Sequence, residues 1–279
     1  MPEKRGDFFM PTLTFPEDTR FTLNITTNTG EVMHSHHYHE FYELYYMMSG
    51  SCNYFIDDKV YEVIAGDIVL IPSGVIHRTN YVSAEHTRIL IECSDNMVPK
   101  SVKRSLSSML YLYRNTTANK EFYNFYKRLD KEMNNPDGYS LEVVDNMIKM
   151  MFYTLARTKS IIKDNKKKNS MIEDVVSYVK ENFSQPINLS RVAKDHFISQ
   201  EHLSRTFKKH TGFGFNEYLT LVRLQHAEQL LKGEEKMSIS AIAYSCGFND
   251  SNYFSDKFKK VYGTSPLKFS KSRDTDKSE

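Results

Sequence analysis

The stretch HSHHYHEFYE, residues 34–43, places four of the chain's ten histidines within six positions. Alternate residues of a strand share a face, so His37 and His39 point one way together with Glu43, while His34 and His36 project from the other. Imidazole and carboxylate groups in such a row can hold a divalent metal, hydrogen-bond the hydroxyls of an organic ligand, or serve as ordinary polar groups of a strand. The residues by themselves leave all three readings open.

A row of this kind needs a sheet to carry it. Residues 20–92 supply short aromatic and β-branched runs such as ELYYMM, SCNYFI and DIVLIP, broken at Gly50, Asp57-Asp58, Gly66 and Pro72. That pattern predicts a succession of short strands, hence a barrel or sandwich. Residues 100–134 and 138–160 change character: Val144, Ile148, Met151 and Leu155 recur at three and four, which predicts amphipathic helices, with Asp137 placed to cap the last. Such a stripe either packs on the barrel or pairs with a second copy, and at least one helix is expected to serve a dimer seam. The segment KDNKKKNS, residues 163–170, has four lysines and no apolar residue and reads as a linker. The expected division is therefore 1–162, a linker 163–170, and 171–279, with an α+β fold overall: a β-barrel with following helices, then an all-α domain.

The part beyond the linker repeats itself. LSRVA from Leu189 aligns with ISAIA from Ile239 at an offset of 50, and LSRTFKKHTG from Leu203 aligns with FSDKFKKVYG from Phe254 at an offset of 51, so one residue is inserted between the blocks, in the turn. Each unit has a polar cap, Asn188 or Ser238, and a short helix in which Ala193 or Ala243 leaves room for close contact. A second helix then turns Leu203 and Phe207, or Phe254 and Phe258, to the core. This spacing describes two helix-turn-helix units. Gly247 suits a positive-φ turn in the second copy, whereas Phe197-Ile198 stands at that place in the first, so such a turn is more secure in the second. Between the copies FNEYLTLVRLQHAEQLL has no proline or glycine. A helix of that length, roughly 26 Å, can hold two recognition helices about one DNA turn apart.

Composition permits this reading without proving it. The net charge is +2, but residues 1–162 carry 17 Lys+Arg against 20 Asp+Glu, and residues 163–279 carry 20 against 15. The basic excess lies with the repeat, a modest electrostatic allowance for a polyanion. Hydrophobic residues at 40% and charged residues at 26% indicate a globular chain. No run has the length of a signal-peptide core or a membrane span, so a cytoplasmic protein with no membrane partner is expected. Cys52, Cys93 and Cys246 are odd in number and scattered, which predicts reduced, buried thiols and argues against a zinc ribbon.

The run ISAIAYSCGFNDSNYFSDKFKKVYGTSP from Ile239, with TGFGFNEYL and the Arg223, Ala227, Leu230 and Leu231 of the connecting helix, closely resembles the DNA-binding domain of AraC/XylS-type transcription regulators, over about residues 170–270. Gly214, where serine or proline is common, and Ser270, in place of an arginine, are small departures. The resemblance implies that residues 200–209 and 251–260 enter successive major grooves of double-stranded DNA. Its base-facing positions would be Gln200, Glu201, Ser204 and Arg205 in the first, and Ser251, Asn252, Ser255 and Asp256 in the second, with Lys208 and Lys259 toward phosphate. Asp256 stands where many relatives are basic; it can accept from a cytosine amino group or pair with a neighbouring lysine.

The histidines carry a second resemblance. His37-x-His39-x3-Glu43-x6-Gly50 and Gly66-x5-Pro72-x-Gly74-x2-His77 look like the two cupin motifs, with His77 arriving from a neighbouring strand. In these regulators the cupin-like barrel usually binds a small organic effector without metal, so His37, His39, Glu43, Tyr45, Tyr54 and His77 are expected to line an effector pocket, with Tyr61 also available. Three imidazoles and a carboxylate would also suit a divalent metal, zinc, iron, nickel or manganese. The resemblance implies a homodimeric activator that contacts RNA polymerase and responds to a small molecule, a sugar in the commonest setting; no catalytic role or obligatory cofactor is expected. Two rivals remain: a metal-dependent cupin enzyme or metal sensor, and a DNA-binding protein whose barrel only dimerises.

Overall fold

The computed structural model describes residues 13–15, 18–28, 41–82, 85–105, 111–158, 170–233 and 237–276. The chain divides into two compact units, one holding the strands and the first three helices, the other the remaining helices.

The first unit is built from two sheets. β1 (Leu13–Phe15), β2 (Asp18–Asn28), β8 (His86–Cys93), β3 (Tyr42–Ser49), β6 (Ile68–Ile71) and β9 (Leu112–Tyr113) form one sheet in that order; β5 (Lys59–Ile64), β4 (Ser51–Ile56) and β7 (His77–Tyr81) form the other. Gly50 makes the turn from β3 to β4. Its φ is +82°, and a Cβ there would lie 2.7 Å from the Glu85 carbonyl oxygen and 2.8 Å from the His86 Cβ, so both backbone and packing require glycine.

The larger sheet is covered on both faces. Leu44 of β3, Ile68 and Leu70 of β6 and Ile89 and Ile91 of β8 pack outward with Phe122 and Leu129 of α2 (Thr117–Asn134) and Val144, Ile148, Phe152 and Leu155 of α3 (Ser140–Arg157). The Tyr46 ring stacks on Phe122 at 4.9 Å, and Tyr42 meets Phe152 edge-on at 6.0 Å. The residues between them in sequence, Tyr45 and Met47, Val69 and Ile71, and Leu90, face the second sheet and meet Cys52, Tyr54, Ile56 and Val63. This is the period-2 alternation of a strand with both faces buried.

Two expectations are corrected and one alternative is decided. Residues 100–134 are not continuously helical: α1 (Lys100–Ser105) is short, and Leu112–Tyr113 form β9 by pairing with Val69 and Ile68. The pairing partners lie more than forty residues away in the sequence, and Asp67 fastens the junction by accepting two hydrogen bonds from the Arg114 guanidinium. Asp137 is not the cap of α3; Tyr139 holds that position, and the Asp137 carboxylate accepts the Tyr139 N–H at 2.8 Å, ahead of the helix. Of the two alternatives for the stripe Val144, Ile148, Met151 and Leu155, the structure shows packing on the chain's own core.

The second unit is helical. α4 (Ser170–Asn182) precedes α5 (Leu189–Asp195) and α6 (Gln200–Thr211); α7 (Phe215–Lys232) connects these to α8 (Ile239–Ser245) and α9 (Ser251–Tyr262), and α10 (Pro266–Asp276) follows. The expected caps are in place: Asn188 Oδ1 accepts the Arg191 N–H at 2.8 Å and Ser238 Oγ accepts the Ala241 N–H at 3.1 Å. Leu203, Phe207, Phe254 and Phe258 are fully buried, as are Ala193 and Ala243. Glu228 of α7 accepts from the Tyr262 hydroxyl at 3.3 Å and pairs with Lys232, tying the connecting helix to α9.

Candidate nucleic-acid interface and effector site

The two helix-turn-helix turns share one hydrogen-bond pattern. Ile198 N–H donates to the Ala193 carbonyl and Phe248 N–H to the Ala243 carbonyl, both at 3.0 Å; Phe197 N–H donates to Lys194 and Gly247 N–H to Tyr244, at 3.1 and 3.0 Å. Ser199 then caps α6 and Asp250 caps α9, accepting from the N–H groups of His202 and Tyr253. The shift in offset from 50 to 51 is thus Asn249, an extra residue between the turn and the second cap.

The left-handed residue occurs in both copies, and the expectation was that such a turn is more secure in the second, where glycine stands. Gly247 has φ +84° and Phe197 has φ +57°. The difference lies in what covers each turn. A Cβ on Gly247 would meet the Phe183 carbonyl at 2.7 Å, the Ser184 carbonyl at 2.9 Å and Arg223 Nε at 3.0 Å, because the loop after α4 closes over it and Arg223 donates to the Phe183 and Gln185 carbonyls. Phe197 is 96% exposed. Its left-handed backbone costs roughly 1–2 kcal/mol, and no burial of its ring offsets that.

Gln200, Glu201, Ser204, Arg205 and Lys208 are all exposed along α6, opposite the buried Leu203 and Phe207. On α9, Asn252, Asp256 and Lys259 are exposed and Ser251 and Ser255 are half-buried, with Ser255 Oγ donating to the Ser251 carbonyl. Among the described residues Asp256 makes no ion pair with a lysine, which leaves its carboxylate presented outward. Each helix therefore offers one polar face, ending in lysines near its C-terminus.

In the first unit, Glu43, Tyr45, Tyr54 and His77 come together between the sheets. The Tyr54 hydroxyl donates to Glu43 Oε2 at 3.3 Å, and His77 Nε2 lies 3.5 Å from the same oxygen. His77 Nδ1 is 2.7 Å from the Val75 carbonyl, to which it can donate, and Nε2 faces the carboxylate. His77 reaches Glu43 from the facing sheet, not from a neighbouring strand of the same one. Burial, then the Glu43 charge, pushes the Tyr54 phenol well above its ordinary range; burial, then Cys52, does the same for Tyr45. Both stay neutral hydrogen-bond donors. Tyr61 is half-buried at the edge of this cluster, edge-on to Tyr111. His37 and His39 lie outside the described residues, and among those described no group of three metal-binding side chains converges. Glu43 and His77 would supply two ligands, with the Val75 carbonyl orienting the imidazole as metal-bound histidines require.

Two polar residues of this interior escaped the sequence reading. Arg88 of β8 is buried with its guanidinium 5.8 Å from the Tyr45 ring centre. His86, two residues before it on the same face, stacks on Tyr81 at 3.5 Å and has both ring nitrogens buried without a hydrogen-bond partner among the described residues. Burial and the Arg88 charge lower the His86 pKa, so it is neutral. Cys52, Cys93 and Cys246 are free and buried; burial pushes the Cys52 thiol up to about 12.

A ligand-holding sheet unit followed by a doubled helix-turn-helix defines a class, the ligand-responsive DNA-binding regulators. Residues 24–135 match the AraC-like ligand binding domain family and residues 192–272 a helix-turn-helix domain family. The chain is 36% identical over 110 residues to the uncharacterized HTH-type transcriptional regulator YijO of Escherichia coli strain K12, a match spanning 39% of this chain and 38% of that protein. It is 24% identical over 246 residues to the HTH-type transcriptional activator RhaR of Mannheimia succiniciproducens, covering 84% and 86% of the two chains. Against the transcriptional activator RhaS of Escherichia fergusonii it is 23% identical over 250 residues, covering 85% and 88%. Both units are thus similar to those of AraC-type transcription regulators: the helix-turn-helix domain implies DNA binding by the helical unit, and the ligand-binding domain implies a small-molecule effector for the other. The relatives are regulators, so the reading as a cupin enzyme is set aside. No helix among the described residues is long and apolar enough to cross a membrane.

Proposed function

We propose that this chain is a cytoplasmic, homodimeric transcription activator in which a sugar, held between the sheets by Glu43, His77, Tyr54, Tyr45 and the neighbouring His37 and His39, changes how α6 and α9 engage successive major grooves and recruit RNA polymerase. The observation that carries the reading is the duplicated unit, with matching caps, turn hydrogen bonds and outward polar faces on α6 and α9. A carboxylate, an imidazole and two neutral phenols beside aromatic rings suit sugar hydroxyls and the apolar face of a pyranose. The names of RhaR and RhaS, transcriptional activators matched across most of the chain, favour activation. Division into 1–162, a linker 163–170 and 171–279 is part of the proposal, supported by α3 ending at Arg157 and α4 starting at Ser170.

On α6, Arg205 can bond a guanine edge bidentately, worth about 1–3 kcal/mol of discrimination, with Gln200, Glu201 and Ser204 as adjoining base contacts. On α9, Ser251, Asn252, Ser255 and Asp256 take those places, the Asp256 carboxylate accepting from a cytosine amino group. Lys208 and Lys259 neutralise phosphates. Selection from a randomised duplex pool, followed by titration at several salt concentrations, tests this. R205A is expected to relax the preferred sequence at one position. K208A or K259A should weaken all duplexes alike and flatten the salt slope by about one unit. An R205A protein that kept both affinity and preference would remove α6 from the groove.

A further inference from the structure

The turn ahead of α6 carries an aromatic ring that the chain itself does not use. Phe197 stands in the left-handed region at φ +57° with 96% of its surface exposed, at the place where the second copy has Gly247. Inside the chain this position needs only a residue that tolerates positive φ, and glycine or asparagine would serve better. Phe197 borders an open groove together with Ser190, Ala193, Lys194, Ile198, Ser199 and Gln200, and the exposed Asp195 and Glu201 are next to these in the sequence. Three residues further on, Gln200 begins the helix assigned to the major groove, whose first turn holds Glu201 and whose His202 N–H is capped by Ser199. With Lys194 balanced by the exposed Asp195 and Glu201, it is the assignment of α6 to the major groove, and not local charge, that makes duplex DNA the partner this ring would meet.

We propose that Phe197 is a specificity-determining DNA contact: its ring packs on the 5-methyl group of a thymine at the edge of the groove that α6 enters. The proposal rests on α6 being a groove-reading helix. Apolar contact with that methyl group is one of the few base readouts available to a side chain without hydrogen-bonding atoms. It also accounts for the asymmetry between the copies. The second turn is closed over by the loop after α4 and admits no side chain, whereas the first stands open. The first half of the target therefore has an apolar readout that the second half lacks.

The test uses the full chain and a duplex selected from a randomised pool. F197G and F197N are expected to bind it about fivefold more weakly, the worth of roughly 40 Å² of apolar surface at about 25 cal/mol per Å². Their melting midpoints should not fall below that of the unsubstituted chain. Replacing thymines by uracil one at a time, which deletes only the methyl group, should weaken the unsubstituted protein at one position near the Arg205 contact and leave F197G unaffected there. Equal affinity for F197G, or a loss with no uracil-sensitive position, overturns the thymine contact. So does a lower melting midpoint, which would give the ring a structural role. If F197G binds normally but fails to activate transcription with purified polymerase, the ring meets a protein instead. R205A run in parallel separates these results from failure of the groove assignment itself, since in that case R205A too leaves preference unchanged.

Discussion

Gly247 and Gly263 have nearly the same backbone, φ +84° and +73°, but different surroundings: a Cβ on Gly263 meets nothing within 4 Å, whereas one on Gly247 strikes two carbonyl oxygens and Arg223. G263A should therefore cost only the backbone strain, about 1 kcal/mol. G247A adds the displacement of the loop after α4 and should cost about 2–3 kcal/mol, read as a shift in the denaturation midpoint of the helical unit. Equal losses would mean that the close approach is not felt. At this scale the sequence was informative where a residue acts through its immediate neighbours. Asn188, Ser238 and the buried phenylalanines could be read from spacing alone, since a cap and its partner lie three residues apart. Arg88 and His86 could not. In HTRILIEC the alternation is visible, with Ile89, Ile91 and Cys93 on the helix-facing side and His86, Arg88, Leu90 and Glu92 on the other, but it reads as an ordinary strand with a solvated polar face; that this face is covered depends on a sheet contributed by distant residues.

Elements that must find remote partners were the ones misjudged. β9 is two residues long and exists only because β6 offers an edge to Leu112 and Tyr113, so no local pattern announces it. α3 was recognised as amphipathic, and its buried stripe serves its own sheet, which leaves the seam of the proposed homodimer to another face. Tyr139 at its cap and Val143, Asn146, Met150 and Tyr153 along it recur at four and three and are exposed, Tyr139 to 74% and Met150 to 62%. A stripe at that spacing fits a second copy by heptad packing. M150E should shift the protein from dimer toward monomer by about tenfold in dissociation constant, measured by sedimentation, while leaving the melting of the sheet unit unchanged. An unaltered dimer would move the seam off α3.

For the whole molecule, sensing requires that the effector bind two arrangements of the regulator unequally, and the coupling must be reciprocal. A sugar panel screened by thermal shift should give one hit, raising stability by about 2.7 kcal/mol when present at about a hundred times its dissociation constant. Y54F, which removes the donor to Glu43, should weaken that hit by about tenfold. Whatever factor the sugar imposes on affinity for the selected duplex, the duplex must impose on the sugar. A shift produced instead by a divalent ion and abolished by a chelator would replace the sugar reading with a metal one. The two-unit plan was legible because each unit has its own period, two for the strands and 3.6 for the helices. The identity of the ligand was not, since it depends on side chains that only the folded sheets bring together.

Finally, the tandem readers are unlike: Gln200, Glu201 and Arg205 on one, Ser251, Asn252 and Asp256 on the other, with Phe197 before the first and Gly247 before the second. A protomer built this way has polarity on the double helix. If α6 and α9 read DNA as proposed, each protomer's target would be non-palindromic, with a head and a tail, and turning that sequence end for end relative to a promoter would reverse which flank of the protein looks toward the start of transcription.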